Sequence, residues 1–165
     1  MNDIENEIEL RNPDEEEFNV WFSESTNRQA LDRSYVNDSD FNLELAKLHD
    51  LIPQVLPQGK DTPRHYFRIL STALNKNIGF IWFGVMPGIE LTDIILMDII
   101  VKKDFQGIGL GKKMLQKMHE EMKREGYQRI ILDVLNHNPA KYLYTKLGYQ
   151  PIRETDKDAI MVINL

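Results

Sequence analysis

The 165-residue sequence contains no cysteine. Without thiols the chain can form no disulfide framework, no cysteine zinc site and no cysteine nucleophile. It also has no apolar run long enough to cross a bilayer. Its first seven residues are acidic and lack the basic and apolar regions of a signal peptide. We therefore expect a cytoplasmic protein with no membrane partner.

Positive charge is also scarce, because 20 Lys and Arg residues face 26 Asp and Glu residues, for a net charge of −6. This balance gives no overall attraction to nucleic acid. We expect neither a nucleic-acid partner nor a bound metal. Apolar content of 42% and charged content of 28% are ordinary for a globular protein. The length suits one domain with its own core, so we expect a single domain over residues 1–165.

Hydrophobic periodicity and turn residues predict the element order β-α-α-β-β-β-α-β-α-β-β. The first strand is expected within Ile4–Arg11. A first helix is expected to start with Asn12 as N-cap and Pro13 at the first helical position, and to run to about Ser25–Arg33 with a break at an unassigned position. The later predicted elements are Asp40–Leu56, His65–Thr72, Ile78–Val85, Asp93–Val101, Lys112–Glu125, Arg129–Leu135, Pro139–Leu147, Tyr149–Glu154 and Ala159–Asn164. Together they indicate an α/β layered domain with a mixed, mostly antiparallel sheet flanked by helices.

The most informative stretch joins the apolar strand Asp93–Val101, the glycine-rich turn Gln106–Gly111 and a helix that ends before Gly126. The first N–H groups of a helix have no internal partner, and the helix dipole puts partial positive charge there. Glycines let several such groups approach one anion. With Lys112 and Lys113 beside it, the turn predicts a phosphate site.

Two nucleotide-binding motifs fail on specific positions. In the dinucleotide fingerprint Gly-x-Gly-x-x-Gly, the third glycine would fall at Lys112 or Met114. The P-loop would need glycine where the chain has Gln106, and Ser or Thr where it has Lys113. A nucleotide-binding domain is therefore disfavoured.

The motif that does fit is Gln/Arg-x-x-Gly-x-Gly/Ala, which resembles the acyl-CoA-binding motif of the GNAT family of N-acetyltransferases. A second segment is similar to the family pattern Asn-x-Ala-x-x-x-Tyr followed by Leu-Gly-Tyr. The matching residues are Gln106, Gly109 and Gly111 in the first motif and Asn138, Ala140, Tyr144, Gly148 and Tyr149 in the second. The resemblance is specific over Ile78–Pro151 and topological before it.

This resemblance implies acetyl-CoA as cosubstrate and transfer of its acetyl group to a primary amine. It implies that Asn138, Ala140 and Tyr144 contact the cofactor and that Tyr144 is the general acid. A tyrosine with pKa ~10 stays protonated at neutral pH and can donate its proton to the leaving thiolate. The remaining implied cofactor residues are Ile99, Ile100 and Val101 for the pantetheine arm, and Gln106, Gly107, Ile108, Gly109, Leu110, Gly111 and Lys112 for the pyrophosphate.

The general base is less well defined by the sequence. An amine with pKa near ~10.4 must lose a proton before attack, which costs roughly 4–5 kcal/mol at pH 7. Asp98 is the first candidate, because it is the one charge inside an otherwise apolar strand segment. His65 and His137 are second candidates, and Asp93 and Glu90 could line the amine site. Direct attack with water-mediated proton loss stays open.

Two further questions also stay open. A non-catalytic, acyl-CoA-binding regulatory module of the same fold would share both motifs. The acceptor is a small-molecule or peptide amine, and net acidity favours a cationic one such as a polyamine, an aminoglycoside-like compound or a protein N-terminus. A homodimer through the last strands is suggested by analogy alone.

Overall fold

The computed structural model of the chain describes residues 8–74 and 76–165. Within these ranges seven strands form one sheet in the order β1-β2-β3-β4-β5-β7-β6, and four α-helices flank it. The strands are β1 Glu9–Arg11, β2 His65–Ser71, β3 Asn77–Gly84, β4 Asp93–Val101, β5 Arg129–Leu135, β6 Gln150–Glu154 and β7 Asp158–Asn164. The helices are α1 Glu15–Asn37, α2 Phe41–Val55, α3 Leu110–Arg124 and α4 Ala140–Leu147. Only the β4–β5 pair is parallel in this sheet, which confirms the predicted architecture.

The start of α1 corrects the sequence prediction. Asp14, not Asn12, is the N-cap, and it forms a reciprocal capping box with Glu17. The helix also runs past its predicted end at Ser25–Arg33 and continues without a break to Asn37. The predicted first strand is confirmed over its last three residues, and its beginning, 4–7, lies outside the described residues.

The starts of α3 and α4 also differ from the prediction. Helix α3 begins at Leu110, two residues before Lys112, because Gly109 adopts φ 85° and serves as N-cap. Helix α4 begins at Ala140, with Pro139 rather than Asn138 at the cap position. Gly126, with φ 90°, follows α3 and confirms the predicted helix end.

The two faces of the sheet carry separate hydrophobic cores. On one face, α3 and α4 bury a continuous set that includes Met114, Leu115 and Met118 of α3. On the other face, α1 packs an aromatic cluster against β2 and β3. That cluster contains Phe18, Trp21, Phe67 and Trp82. None of the helices in the described ranges has the length and apolarity needed to cross a bilayer.

Met118→Ala should lower the free energy of unfolding by about 2–5 kcal/mol, because Met118 has no exposed surface and its truncation leaves a cavity under the sheet. Urea denaturation of the purified protein measures this loss. Glu120→Ala, on the exposed face of the same helix, is the control and should change stability by no more than about 0.5 kcal/mol. Equal stability of the two variants would contradict the placement of Met118 in the core.

Candidate active site

A cleft opens where the parallel strands β4 and β5 separate. Their pairing runs from Asp93 and Arg129 to Leu96 and Leu132 and then stops, although both strands continue. The cavity there is about 390 Å³ and is bounded by β4, β5, α1 and the start of α4. Ligand pockets of this size are common in enzymes.

The separation follows from a β-bulge in β4. Met97 has no partner in β3, so β4 bends at this residue. Beyond the bulge β4 pairs only with β3. The Lys102 N–H donates to the Ile78 carbonyl, and antiparallel alternation therefore directs the backbone groups of Val101 and Ile99 to the open edge.

The glycine turn lies at the end of this open edge. The Gln106 side chain donates to the Val101 carbonyl at 2.8 Å and ties the turn to β4. Gly107 and Gly109 have φ values of 79° and 85°, and no atom lies within 4 Å of where a Cβ would stand at either position. No side chain caps the first turn of α3, and that turn carries no acidic residue. Its N–H groups are therefore available to an anion.

Tyr144 projects into the cleft from α4. Its side chain is buried, its ring packs against Tyr149 at 5.6 Å, and its hydroxyl makes no hydrogen bond within 8–74 and 76–165. Tyr149 is held in turn by a 2.8 Å hydrogen bond with His119. Burial, and then the charge of Asp98, raises the pKa of Tyr144 above its usual value, so the neutral hydroxyl persists at physiological pH.

Asn138 lines the same cleft as Tyr144. Its Oδ1 accepts the Ala140 N–H at 2.9 Å and so supports the start of α4 without being the formal N-cap. This leaves the Nδ2 group without a hydrogen-bond partner among the described residues.

Asp98 also lines the cleft, but it is not isolated. Arg28 of α1 donates from Nη2 to its Oδ2 at 2.6 Å, and the Asp98 side chain is 14% exposed. The pair joins α1 to β4 across the cavity. Oδ1 is the carboxylate oxygen that Arg28 leaves free.

The other candidate bases and amine-site residues, His65, His137, Asp93 and Glu90, are not among the residues that line this cleft. His65 is buried and accepts the Trp82 Nε1–H at 3.2 Å, and burial lowers its pKa, which favours a structural role. His137 packs edge-to-face against Tyr35. Asp93 is buried in a bidentate pair with Arg129 at the other end of β4, away from the cleft lining.

Of the predicted cofactor residues, Ile99 and Val101 present backbone groups at the open edge, whereas Ile100 pairs with β3. The Gln106 N–H already donates to Lys103. The other predicted turn residues lie beyond the end of β4, outside the lining of the cleft, with Leu110 buried. Those residues are Gly107, Ile108, Gly109, Gly111 and Lys112.

Sequence reasoning did not assign the four remaining polar residues that line the cleft: Arg28, Gln29, Asp32 and Asp133. Asp133 could have been found, because it is a lone charge in an apolar strand, as Asp98 is. Desolvation by burial raises the pKa of Asp32, and the charge of Asp98 adds to this effect. Desolvation also raises the pKa of Asp133, and the charge of Asp158 adds to it. The α1 residues carry no local signal, since nothing in the sequence shows which helix face meets β4.

Known proteins match both the sequence and the fold. The sequence profile of the acetyltransferase (GNAT) domain matches residues 63–151. YdgE, an uncharacterized N-acetyltransferase of Bacillus subtilis, is 30% identical over 96 residues, which span 58% of this chain and 61% of YdgE. YycN, an uncharacterized N-acetyltransferase of the same organism, is 26% identical over 144 residues, which span 86% of this chain and 89% of YycN.

Solved structures show the same architecture. The crystal structure of YycN superimposes with a TM-score of 0.79 over 90% of this chain and 95% of that chain, at 21% identity. PaiA N-acetyltransferase of Thermoplasma acidophilum, solved with coenzyme A, gives a TM-score of 0.67 over 96% of this chain and 99% of that chain, at 18% identity.

The bent β4, the glycine turn and the cleft define an α/β fold of the acyltransferase type. The chain belongs to the GNAT acetyltransferase family. This confirms the resemblance stated from its two motifs.

Proposed function

We propose that the protein is an acetyl-CoA-dependent N-acetyltransferase that acetylates a primary amine by direct attack. The observation that carries this proposal is a series of three features that follow one another along β4, from the cleft to the turn that Gln106 ties to Val101. These are the open edge of β4, the uncapped glycine turn and the buried Tyr144 hydroxyl. A purely structural turn would need neither the open edge nor an unbonded hydroxyl.

The residues present fit acetyl-CoA. The open edge offers backbone donors and acceptors for the amides of the pantetheine arm, and Asn138 adds a side-chain donor. The N–H groups from Gly107 to Lys112 face where a pyrophosphate would sit, and the space above Gly107 and Gly109 is open to it. Acetyl-CoA would supply an acetyl group activated as a thioester.

Two side chains would handle the protons of the transfer. Tyr144 would donate its hydroxyl proton to the departing thiolate, since its raised pKa keeps it neutral. Asp98 would take the proton of the attacking amine through Oδ1, because Arg28 holds Oδ2. Its charge contributes to the raised pKa of Tyr144, which supports assigning both side chains to the same reaction. It would also attract a cationic amine to the cleft.

Thermal unfolding with acetyl-CoA tests the cofactor assignment. At about 100 times its dissociation constant, acetyl-CoA should stabilise the protein by about 2.7 kcal/mol, a rise in Tm of roughly 5–10 °C. NADH and ATP at equal concentration are the controls and should give no comparable shift. An unchanged Tm at millimolar acetyl-CoA would overturn the cofactor assignment.

Turnover separates an enzyme from an acyl-CoA-binding regulatory module. Release of free CoA that depends on an added amine supports the transferase. Binding of acetyl-CoA without thiol release, across a panel of diamines, amino sugars and short peptides, would favour the regulatory module.

A further inference from the structure

The end of α1 is held from a distant part of the chain. Lys157, in the turn between β6 and β7, donates from Nζ to the carbonyl oxygens of Tyr35 at 2.9 Å and Val36 at 3.4 Å. The same Nζ lies 2.6 Å from Oδ1 of Asp38, the C-cap of α1, and 5.4 Å from the centre of the Tyr35 ring. One ammonium group thus contacts three residues at the end of α1: Tyr35, Val36 and Asp38.

The chemistry of the helix end explains the contact. The last turn of α1 contains no basic residue, so its free carbonyls and the negative end of its dipole have no cation of their own. Lys157 supplies that cation. The hydrogen bond with Asp38 raises the pKa of Lys157, which keeps the ammonium charged.

Lys157 is itself fixed in place. Its carbonyl accepts the N–H of Asn136, and the Asn136 side chain donates to the Thr155 carbonyl at 2.9 Å. Asn136 stands just before the loop that carries Asn138. His137 adds an edge-to-face contact with Tyr35, with ring centres 5.2 Å apart. The β6–β7 turn, the β5–α4 loop and the end of α1 therefore form one connected unit.

This unit borders a second cavity that adjoins the cleft. It has a volume of about 460 Å³ and shares Gln29, Asp32 and Met97 with the cleft. Its walls come from the second half of α1, the bulge of β4, the end of β5 and the β6–β7 hairpin. Two contacts fix the α1 wall: the Arg28–Asp98 pair and the Lys157 contacts with the helix end.

We infer that Lys157 is a specificity-determining residue, which holds the end of α1 against the β6–β7 turn and so limits the acceptor to small amines. This inference rests on the proposed function, because it assigns the second cavity to the acceptor. A cavity of this size holds a small molecule. A longer acceptor would have to extend past the α1 wall, whose end the Lys157 contacts hold in place.

The test compares two acceptors in the full chain: 1,5-diaminopentane and a ten-residue peptide with a free N-terminus. The wild type should favour the diamine in kcat/KM. Lys157→Ala should narrow that preference by about tenfold or more, mainly through the KM values of the acceptors, because the α1 wall is released. The KM for acetyl-CoA should stay unchanged, since the glycine turn lies elsewhere.

Two matched variants complete the experiment. Lys157→Arg keeps a cation at the helix end and should retain the wild-type preference. Lys146→Ala removes an exposed lysine whose ammonium lies over Tyr142 on α4, and it should also retain that preference. Hydrogen exchange of residues 31–37 should be faster in Lys157→Ala alone, which shows that the helix end has been released.

The outcomes separate this inference from the proposed function. Turnover with an unchanged acceptor preference in Lys157→Ala, despite faster exchange of residues 31–37, would show that the contact is structural only. A wild type that prefers the peptide would overturn the size limit directly. If the wild type acetylates no amine at all, the proposed function itself fails, and the acceptor assignment fails with it.

Discussion

Tyr144→Phe should lower kcat by about 100-fold to 10,000-fold, the usual contribution of a positioned general acid. The change removes one oxygen atom from a buried side chain and leaves the ring that packs against Tyr149. Because the hydroxyl has no hydrogen-bond partner within the described part of the chain, its loss leaves no buried group unsatisfied. The fold should therefore persist, and the loss should appear in turnover.

Steady-state kinetics and a thermal-shift titration with acetyl-CoA measure this effect together. The dissociation constant for acetyl-CoA should change little, since backbone groups of β4 and α3 carry most of the proposed binding. Tyr142→Phe is the matched control, because Tyr142 lies two residues earlier on the same helix and is 67% exposed. Full activity of Tyr144→Phe would rule out the general-acid role, and equal losses in both variants would point to damage to α4.

Gly109→Glu should weaken acetyl-CoA binding by about 100-fold, which corresponds to about 2.7 kcal/mol. Gly109 is the N-cap of α3, where the proposed pyrophosphate site lies. A glutamate would place a negative charge beside the phosphates and a side chain in the open space above the turn. The positive φ at position 109 strains a residue that has a Cβ by roughly 1–2 kcal/mol, which lowers the stability of the variant. The Cβ itself meets no neighbouring atom.

Gly88→Glu controls for charge and strain at once. Gly88 has φ 87°, close to the 85° of Gly109, and a Cβ would meet no atom within 4 Å at either position. It lies in the turn between β3 and β4, at the opposite end of β4 from the glycine turn. Isothermal titration with acetyl-CoA should show near-wild-type affinity for Gly88→Glu alone. Similar affinities for the two variants would contradict the phosphate assignment of the glycine turn.

Local sequence patterns predicted correctly the two strands that flank the cleft, β4 and β5. The bounds predicted for β4 and β5 agree with the structure residue for residue. Both strands are mainly apolar runs, and charged or polar residues mark their ends. The order of elements and the family also followed from local patterns, since the spacing of glycines, prolines and apolar residues acts over a few residues. The predicted helix starts were wrong. The N-cap of α1 is Asp14 rather than Asn12, and α3 begins after Gly109 rather than at Lys112. At such boundaries several residues can serve as caps, and packing selects one.

The shape of the cleft, by contrast, depends on contacts between distant parts of the chain. The bulge at Met97 that parts β4 from β5 depends on pairing with β3. The Arg28–Asp98 pair joins residues 70 positions apart, and Lys157 reaches Tyr35 across 122 positions. Such contacts leave no trace in local periodicity, because they depend on how the helices lie on the sheet. The proposed acceptor side of the site, with its cluster of carboxylates and its fixed α1 wall, is therefore a property of the fold.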